Sequence, residues 1–256
     1  MTKNPYEEYP VHIPGNQLPK DHEYYERLNN YFDKSMGSYV DKLRAFAKYV
    51  PVAEIGRFLA KEKIYSQILN IHGSVVECGV FNGSGIMTWA TLSSIYEPLN
   101  HIRKIIGFDT FEGFPSVSDS DDKGNCNVVP GGLKVEAYED VKEAVSIYDI
   151  YRPLGHISKV ELVKGDASKT IPAYIEENKH LVVSLLYLDF DLYDPTKVAL
   201  ECFLPRMPIG AIIAFDQLNQ KQWQGETLAL LECVGISKLK IERFSFQPQI
   251  SYAVIR

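Results

Sequence analysis

The sequence lacks a basic cluster and a long apolar run, and each absence excludes a class of protein. Its 256 residues hold 27 Lys and Arg against 33 Asp and Glu, which gives a formal net charge of −6. Because affinity for nucleic acid depends on clustered positive charge, we expect no nucleic-acid partner. No apolar stretch is long enough to cross a bilayer, so we expect no membrane partner either.

Paired cysteines and a secretion signal are also missing. The four cysteines, Cys78, Cys126, Cys202 and Cys233, are scattered, and none of them forms a C-x-x-C pair. This spacing does not favour a disulfide framework, and three of them lie in apolar contexts typical of small core residues. The first residues, MTKNPYEEYP, lack the basic and apolar regions of a signal peptide. We therefore expect a cytoplasmic protein.

Two kinds of hydrophobic pattern divide the chain. From about Asp21 to Leu69 apolar residues recur at helical spacing without strand signals. Beyond them, short β-branched runs alternate with helical segments, which predicts a parallel sheet covered on both faces. We predict a helical extension over residues 1–70 that packs on a core domain of residues 71–256. The five runs are SVVECGV, KIIGFDTF, VELVKGD, VVSLLYLDFD and GAIIAFDQ.

The C-terminus breaks the alternation of strands and helices. The runs KLKIERFSF and ISYAVIR are separated only by QPQ, which is too short for a helical crossover and predicts an antiparallel hairpin. Five parallel strands followed by such a hairpin resemble the fold of the S-adenosylmethionine-dependent methyltransferases. That resemblance implies an α/β, Rossmann-like fold with a mostly parallel seven-stranded sheet.

A long polar segment, Phe111 to Glu136, fits neither a strand nor a helix. Connections of this length in a compact domain are functional lids or disordered excursions, and its position after the second strand favours a lid. Its acidic run is not a calcium loop. Asp119 and Asp121 match the EF-hand pattern, but Lys123 and Pro130 occupy two of its ligand positions.

The glycine-rich turn ECGVFNGSG follows the first strand and opens a helix. Gly79 and Gly83 permit tight turning and close approach of a ligand to the backbone. The helix that begins near Ser84 offers free N–H groups to an anionic group. Glu77 lies two residues before the first glycine, a position that suits an ammonium group of a ligand and does not suit a pyrophosphate. The turn therefore predicts a ligand site, although similar turns also occur where nothing binds.

Two further acids follow the second and third strands. Asp109 is placed to accept hydrogen bonds from both hydroxyls of a ribose, and the alternative is a simple cap of the strand end. A dinucleotide site would share this acid, but its G-x-G-x-x-G fingerprint is absent, which disfavours an NAD-linked oxidoreductase. Asp166 is placed to accept the exocyclic amine of adenine, with Ala167 leaving room for the ring. Asp166 also suits the N-cap of the next helix, and both roles remain open.

The stretch LYLDFDLYDP ends the fourth strand with two carboxylates. Asp189 and Asp191 are separated by one residue, so on an extended chain both side chains point the same way. The fifth strand ends in AFDQLN, which puts Asp216 and Gln217 at the same level on the next strand. Asp189, Asp216 and the Gln217 amide oxygen would offer hard ligands to Mg²⁺, leaving Asp191 as a base. The alternative is that these acids cap helices and form ion pairs.

Together these motifs resemble a known family. The segments VVECGVFNGSG, GFDTFEGFP, KGDASKTIP, LDFDLYDPTKVALE and FDQLN…WQGETLAL are similar to the macrocin and mycinamicin type of sugar O-methyltransferases, which include a noviose methyltransferase. The likeness runs from about Val75 to Leu230. It implies an enzyme that uses S-adenosylmethionine and Mg²⁺ to methylate a hydroxyl on a deoxysugar.

Carried over by position, the resemblance makes Asp189 and Asp216 metal ligands and Asp191 the general base. The next family position is usually a second Asp. Here it is Gln217, which removes one negative charge from the site and should weaken its affinity for metal. The residues predicted to contact the cofactor are Glu77, Gly79, Val80, Gly83, Ser84, Asp109, Thr110, Phe111, Asp166, Ala167 and Asp189.

Two alternative functions remain at this stage. A catechol-like acceptor would also use a metal and two adjacent oxygens, so only the family resemblance favours a sugar. A non-catalytic module that retains the fold is the other alternative, and Gln217 is the residue that keeps it open. Aromatic residues of the N-terminal segment would be exposed unless the segment covers the pocket or forms a subunit contact, and we expect a homo-oligomer.

Overall fold

The computed structural model describes residues 19–121, 124–125 and 127–256. The start of the predicted helical extension, Lys123 and Cys126 lie outside the described residues. Two compact units, Met1–Arg57 and Phe58–Arg256, divide the chain, and helix α3 (Val52–Gln67) spans the division. The division into residues 1–70 and 71–256 stays a prediction.

The described part of the first unit is helical. It contains α1 (Pro19–Lys34) and α2 (Tyr39–Arg44). Ser38 begins α2 with a capping box, because its side chain accepts from the Asp41 amide while the Asp41 carboxylate accepts from the Ser38 amide. The rings of Phe32 and Tyr49 pack edge to face with centroids 5.1 Å apart. These contacts give the short helices a small aromatic core of their own.

The second unit contains one sheet of seven strands in the order β3-β2-β1-β4-β5-β7-β6. The first five strands are parallel, and the last two are antiparallel to their neighbours. This arrangement confirms the predicted α/β, Rossmann-like sheet with its C-terminal hairpin. The strands are β1 (Ser74–Cys78), β2 (Ile105–Asp109), β3 (Val160–Lys164), β4 (Val183–Leu188), β5 (Ile212–Phe215), β6 (Glu242–Arg243) and β7 (Ser251–Val254).

Helices cover both faces of this sheet, as expected for parallel strands. Successive strand residues point to opposite faces, so Val75 and Leu185 belong to one apolar core while Val76 and Leu186 belong to the other. The helices are α4 (Ser84–Tyr96), α5 (Tyr138–Tyr151), α6 (Ala167–Glu177), α7 (Tyr193–Phe203) and α8 (Gln224–Cys233). None of the described helices is long and apolar enough to span a membrane.

The first strand of the C-terminal hairpin is shorter than its sequence pattern predicts. Within KLKIERFSF only Glu242–Arg243 pairs with β7. Phe244 turns inward and stacks on Tyr252, with ring centroids 5.2 Å apart. Burial of this ring bends the chain away from the edge of the sheet and ends β6.

The long segment after β2 forms no strand, and its described residues pack against the rest of the unit. Val128 joins a small apolar cluster with Leu192 and Trp223, against which Phe114 also packs. Asn125 donates its side-chain amide to the carbonyl of Gln222 at 3.2 Å. These contacts attach the segment to the chain that follows β4 and β5.

Candidate active site

The predicted site residues meet at the carboxyl edge of the sheet because the parallel strands end in register. The amide of Gly79 donates to the Phe108 carbonyl, and the amide of Asp189 donates to the Cys78 carbonyl at 2.8 Å. The amide of Asp216 in turn donates to the carbonyl of Leu188 at 3.0 Å. The crevice between β1 and β4 is where the strand order reverses, which is the usual ligand site of open α/β sheets.

Glu77 is neutralised by the chain itself. Its side chain is 1% exposed, and its Oε1 accepts from Lys61 Nζ at 3.1 Å and from Trp89 Nε1 at 3.2 Å. Lys61 also lies over the ring of Tyr187, 4.4 Å from its centroid. Lys61 thus supplies the positive charge that the sequence assigned to a ligand ammonium group. Its one signal in the sequence is its place on the face of α3 that also carries Ile64 and Tyr65, where it is the one charged residue among the buried positions.

The glycines of the turn let the protein pack on itself. A side chain at Gly79 would overlap the carbonyl of Asp189, and one at Gly85 would overlap Glu77. These two glycines are therefore required by packing within the protein, and close approach of a ligand to Gly79 and Gly83 stays a prediction. The start of α4 still suits an anionic group, because Gly83 caps it without a side-chain hydrogen bond.

Asp109 holds the glycine-rich turn in place. Its Oδ2 accepts from the amides of Val80 and Phe81, each at 2.8 Å, and its Oδ1 accepts from the amide of Phe111 at 2.7 Å. Three of about four acceptor positions on the carboxylate are therefore used by backbone. Thr110 extends this ordering, because its hydroxyl donates to the Gly113 carbonyl at 2.6 Å. The predicted hydrogen bonds to ribose remain a prediction, with one acceptor position left on Oδ1.

Asp166 is the N-cap of α6. Its carboxylate accepts from the Ser168 amide at 3.0 Å and pairs with Lys169 at 3.1 Å. Ala167 is buried in the first turn of the helix. The capping interpretation is therefore confirmed, and adenine binding by Asp166 and Ala167 stays a prediction.

The ends of β4 and β5 bring the second group of predicted residues together. Asp216 is 3% exposed, and its Oδ1 accepts from the Tyr187 hydroxyl at 2.5 Å. Asp191 is 8% exposed and has a φ of +64°, in the left-handed region that non-glycine residues seldom adopt. The Gln217 side-chain oxygen is buried without a hydrogen-bond partner among the described residues.

Glu226 is a site residue that the sequence analysis missed. It lies in the first turn of α8, is 0% exposed, and accepts from the Gln217 amide at 3.2 Å. Burial, and then the nearby carboxylates of Asp191 and Asp216, raise the pKa of Glu226 well above its usual value. Nothing in the sequence marks it, because Glu is common in the first turn of exposed helices.

The oxygen atoms at the ends of β4 and β5 fit a hard cation in type. The described residues contain no group of three His, Cys, Asp or Glu side chains arranged to hold a metal ion. The predicted set consists of two carboxylates and one amide, Asp189, Asp216 and Gln217. A buried amide oxygen without a partner, as on Gln217, is the kind of atom that a cation would satisfy.

The long segment after β2 borders this group of residues. Asp121 is buried, and its Oδ1 accepts from the amide of Tyr193, the first residue of α7, at 2.8 Å. Ser120 accepts through its carbonyl from the Gln224 side chain at 2.8 Å. The segment therefore adjoins the turn that carries Asp191.

Comparisons with known proteins identify the family of the chain. The family described as macrocin-O-methyltransferase matches residues 59–229. A crystal structure of CalS11, calicheamicin methyltransferase, is 32% identical, covers 93% of each chain and superposes with a TM-score of 0.89. An apo structure of CalS11, described as TDP-rhamnose 3'-O-methyltransferase, is 28% identical with a TM-score of 0.80, covering 93% of this chain and 95% of that chain.

Two further comparisons do not bear on the family assignment. The O-methyltransferase NovP is 19% identical over 78% of this chain and 80% of its own, and its TM-score of 0.62 supports the fold alone. No curated protein sequence matches the chain. The family match covers more than half of the residues and includes all the predicted site residues. The chain therefore belongs to the macrocin-O-methyltransferase family and is an S-adenosylmethionine-dependent O-methyltransferase.

Proposed function

We propose that this enzyme methylates a hydroxyl of a deoxysugar carried on a nucleoside diphosphate, with Asp191 as the general base. The observation that carries the acceptor class is the similarity, over 93% of the chain, to a protein described as TDP-rhamnose 3'-O-methyltransferase. The observation that carries the base is the position of Asp191, which lies three residues past the end of β4 and, like Asp216, near the carboxylate of Glu226. A catechol acceptor has no comparable support.

In this proposal the residues around Asp109 bind the cofactor, and Asp191 deprotonates the acceptor. The turn shaped by Asp109 and the start of α4, whose N-cap Gly83 has no side chain, bind S-adenosylmethionine, which supplies the methyl group. Asp191 would take the proton from the acceptor hydroxyl as its oxygen attacks the methyl carbon, while the carbon–sulfur bond breaks and S-adenosylhomocysteine leaves with its electron pair. The carboxylate is nearly buried, so little water competes for that proton.

Asp189, Asp216 and the Gln217 amide oxygen are the residues that would hold Mg²⁺. When bound, the cation would lower the pKa of the acceptor hydroxyl and so ease its deprotonation. This ligand set carries one negative charge fewer than a set with an Asp at position 217, so we expect it to bind Mg²⁺ weakly. The tyrosine hydroxyl that donates to Asp216 orients one carboxylate oxygen without metal.

The segment of residues 111–136 acts as a lid in this account. Trp223 and Leu192 hold it through the apolar cluster they form with Val128, beside the turn of Asp191. A closed lid would exclude water and keep the acceptor hydroxyl against the base. The homo-oligomer and the cytoplasmic location remain expectations, which sedimentation of the purified protein and cell fractionation would test.

The proposal is tested by incubating the purified protein with S-adenosylmethionine and TDP-rhamnose, with Mg²⁺ or with EDTA. Mass spectrometry should show one added methyl group on the sugar nucleotide, and none on a simple catechol in a parallel reaction. Methylation of the catechol alone would contradict the sugar assignment. Failure to bind S-adenosylhomocysteine in calorimetry would favour the non-catalytic alternative. Full activity in EDTA would remove the metal from the account while leaving Asp191 as base.

A further inference from the structure

The turn that carries Asp191 depends on contacts from distant parts of the chain. It joins β4 to α7, and Asp191 adopts a φ of +64° that costs a non-glycine residue free energy. Leu192, the N-cap of α7, makes no side-chain capping bond. The first amides of that helix therefore need acceptors from elsewhere.

Two buried carboxylates accept hydrogen bonds from amides of this turn, and one of them, Asp121, accepts from the first amide of the helix. Glu226 accepts from the Gln217 amide at 3.2 Å and also from the backbone amide of Asp191. Asp121 accepts from the Tyr193 amide at 2.8 Å. The amides on either side of Leu192 thus each meet a carboxylate, one from α8 and one from the segment after β2.

A glycine lets these two carboxylates reach the same turn. A side chain at Gly225 would lie 2.6 Å from the carbonyl carbon of Leu192 and 2.7 Å from Oδ1 of Asp121. The backbone of α8 therefore packs directly on the turn, and no larger residue fits between them. Gly225 brings α8 close, and the adjacent Glu226 makes the hydrogen bonds.

We propose that Glu226 and Asp121 are positioning residues, which together clamp the backbone of the Asp191 turn and hold the general base in place. Neither residue is assigned contact with the acceptor or the cofactor. Asp121 belongs to the segment after β2, so that segment contributes one of the two acceptors of the clamp. The link to catalysis rests on the proposed role of Asp191. The clamp itself concerns only the backbone amides of Asp191 and Tyr193.

The first test measures hydrogen exchange of individual amides by NMR in the full-length protein without any ligand. In Glu226→Ala the Asp191 amide should exchange about tenfold faster or more, because its acceptor is gone, while core amides of β1 keep their protection. In Asp121→Ala the same acceleration should appear at Tyr193. Glu226→Gln and Asp121→Asn each keep one carbonyl acceptor and should remain close to wild type. Glu201→Ala, at an exposed position on α7, is the matched control.

Unchanged exchange at Asp191 in Glu226→Ala would overturn the clamp. If that variant does not fold, Asp121→Ala decides, since it alters a loop outside the strands and helices. Unchanged exchange at Tyr193 in Asp121→Ala would then be the overturning result.

The second test measures turnover with TDP-rhamnose as the acceptor. Glu226→Ala should lower kcat between about 10- and 100-fold through misplacement of the base, with the KM for S-adenosylmethionine unchanged. Glu226→Gln should recover most of kcat, which a general loss of stability would not explain. A wild-type protein that shows the protected amides but methylates no TDP-rhamnose would refute the proposed acceptor and leave the clamp intact. A loss confined to KM for S-adenosylmethionine would contradict the positioning role.

Discussion

The two halves of the carboxyl edge differ in how their carboxylates are used. In the cofactor half, at the ends of β1 to β3, Glu77 pairs with Lys61, and Asp109 accepts three backbone amides. In the acceptor half, at the ends of β4 and β5, the Gln217 side-chain oxygen is buried without a hydrogen-bond partner among the described residues. Asp191 in that half is held in a left-handed conformation.

This difference shows that similar motifs at strand ends do different work. Acids of the cofactor half shape the loops, so we expect their loss to act on ligand affinity and on folding. The acceptor half carries a buried polar atom without a partner among the described residues, which is typical of functional sites. Left-handed non-glycine residues occur in both halves, at Asp191 in one and at Phe81 and Phe111 in the other. We expect loss of the acids of the acceptor half to act on the chemical step.

The largest effect is expected at Asp191. Asp191→Asn removes the base while keeping its size, so kcat with TDP-rhamnose should fall by about 10³-fold. Affinity for S-adenosylhomocysteine, measured by calorimetry, should stay unchanged because the cofactor half is intact. A variant with wild-type turnover would show that Asp191 is not the base.

The next largest effect is on stability, at the buried ion pair. Lys61→Met leaves the Glu77 carboxylate buried without its cation and should lower the free energy of unfolding by about 3–5 kcal/mol. The double variant Lys61→Met/Glu77→Gln should recover much of that loss, because neither side chain is then charged. Urea titration of both variants measures the effect. Equal stability of Lys61→Met and the wild type would show that the Glu77 carboxylate does not depend on Lys61, and would contradict the structural role assigned to the acids of the cofactor half.

A smaller effect is expected from Asp109. Asp109→Ala releases the amides of Val80, Phe81 and Phe111, so the affinity for S-adenosylmethionine should weaken by about tenfold or more. Asp109→Asn retains one carbonyl oxygen, so its affinity in calorimetric titration should lie between those of the wild type and Asp109→Ala. Unchanged affinity in Asp109→Ala would remove both the loop-shaping role and the ribose role.

The smallest effect concerns metal. Gln217→Asp restores the charge that the family usually carries, so Mg²⁺ should bind about tenfold more tightly. Asp189→Ala should abolish whatever binding the wild type has, and calorimetry with Mg²⁺ measures both. Weaker binding in Gln217→Asp than in the wild type would exclude position 217 from the ligand set.

The sequence predicts the fold, and the meeting of the candidate residues at one edge of the sheet, because both follow from local pattern. Four of the five apolar runs reach an acid at or just past the strand end, as in GFD and LDFD, and parallel strands bring those ends to one edge. The N-cap role of Asp166 is equally local, since it depends on residues two positions away.

The partners of those acids could not be predicted, because they come from distant positions. Lys61 lies 16 residues before Glu77, and Asp121 lies 72 residues before Tyr193. Periodicity marks Lys61 only as an interruption of an apolar helix face, and Asp121 only as part of an acidic loop. Which side chain meets which backbone amide is decided by packing, as the fit of Gly225 against Leu192 illustrates.

The division of the carboxyl edge into two halves is tested most directly by titrating S-adenosylhomocysteine into three proteins in the calorimeter. These are the wild type, Asp109→Ala and Asp191→Asn. The account predicts that Asp109→Ala loses at least about tenfold in affinity while Asp191→Asn binds like the wild type. Wild-type affinity in Asp109→Ala together with a loss in Asp191→Asn would contradict it.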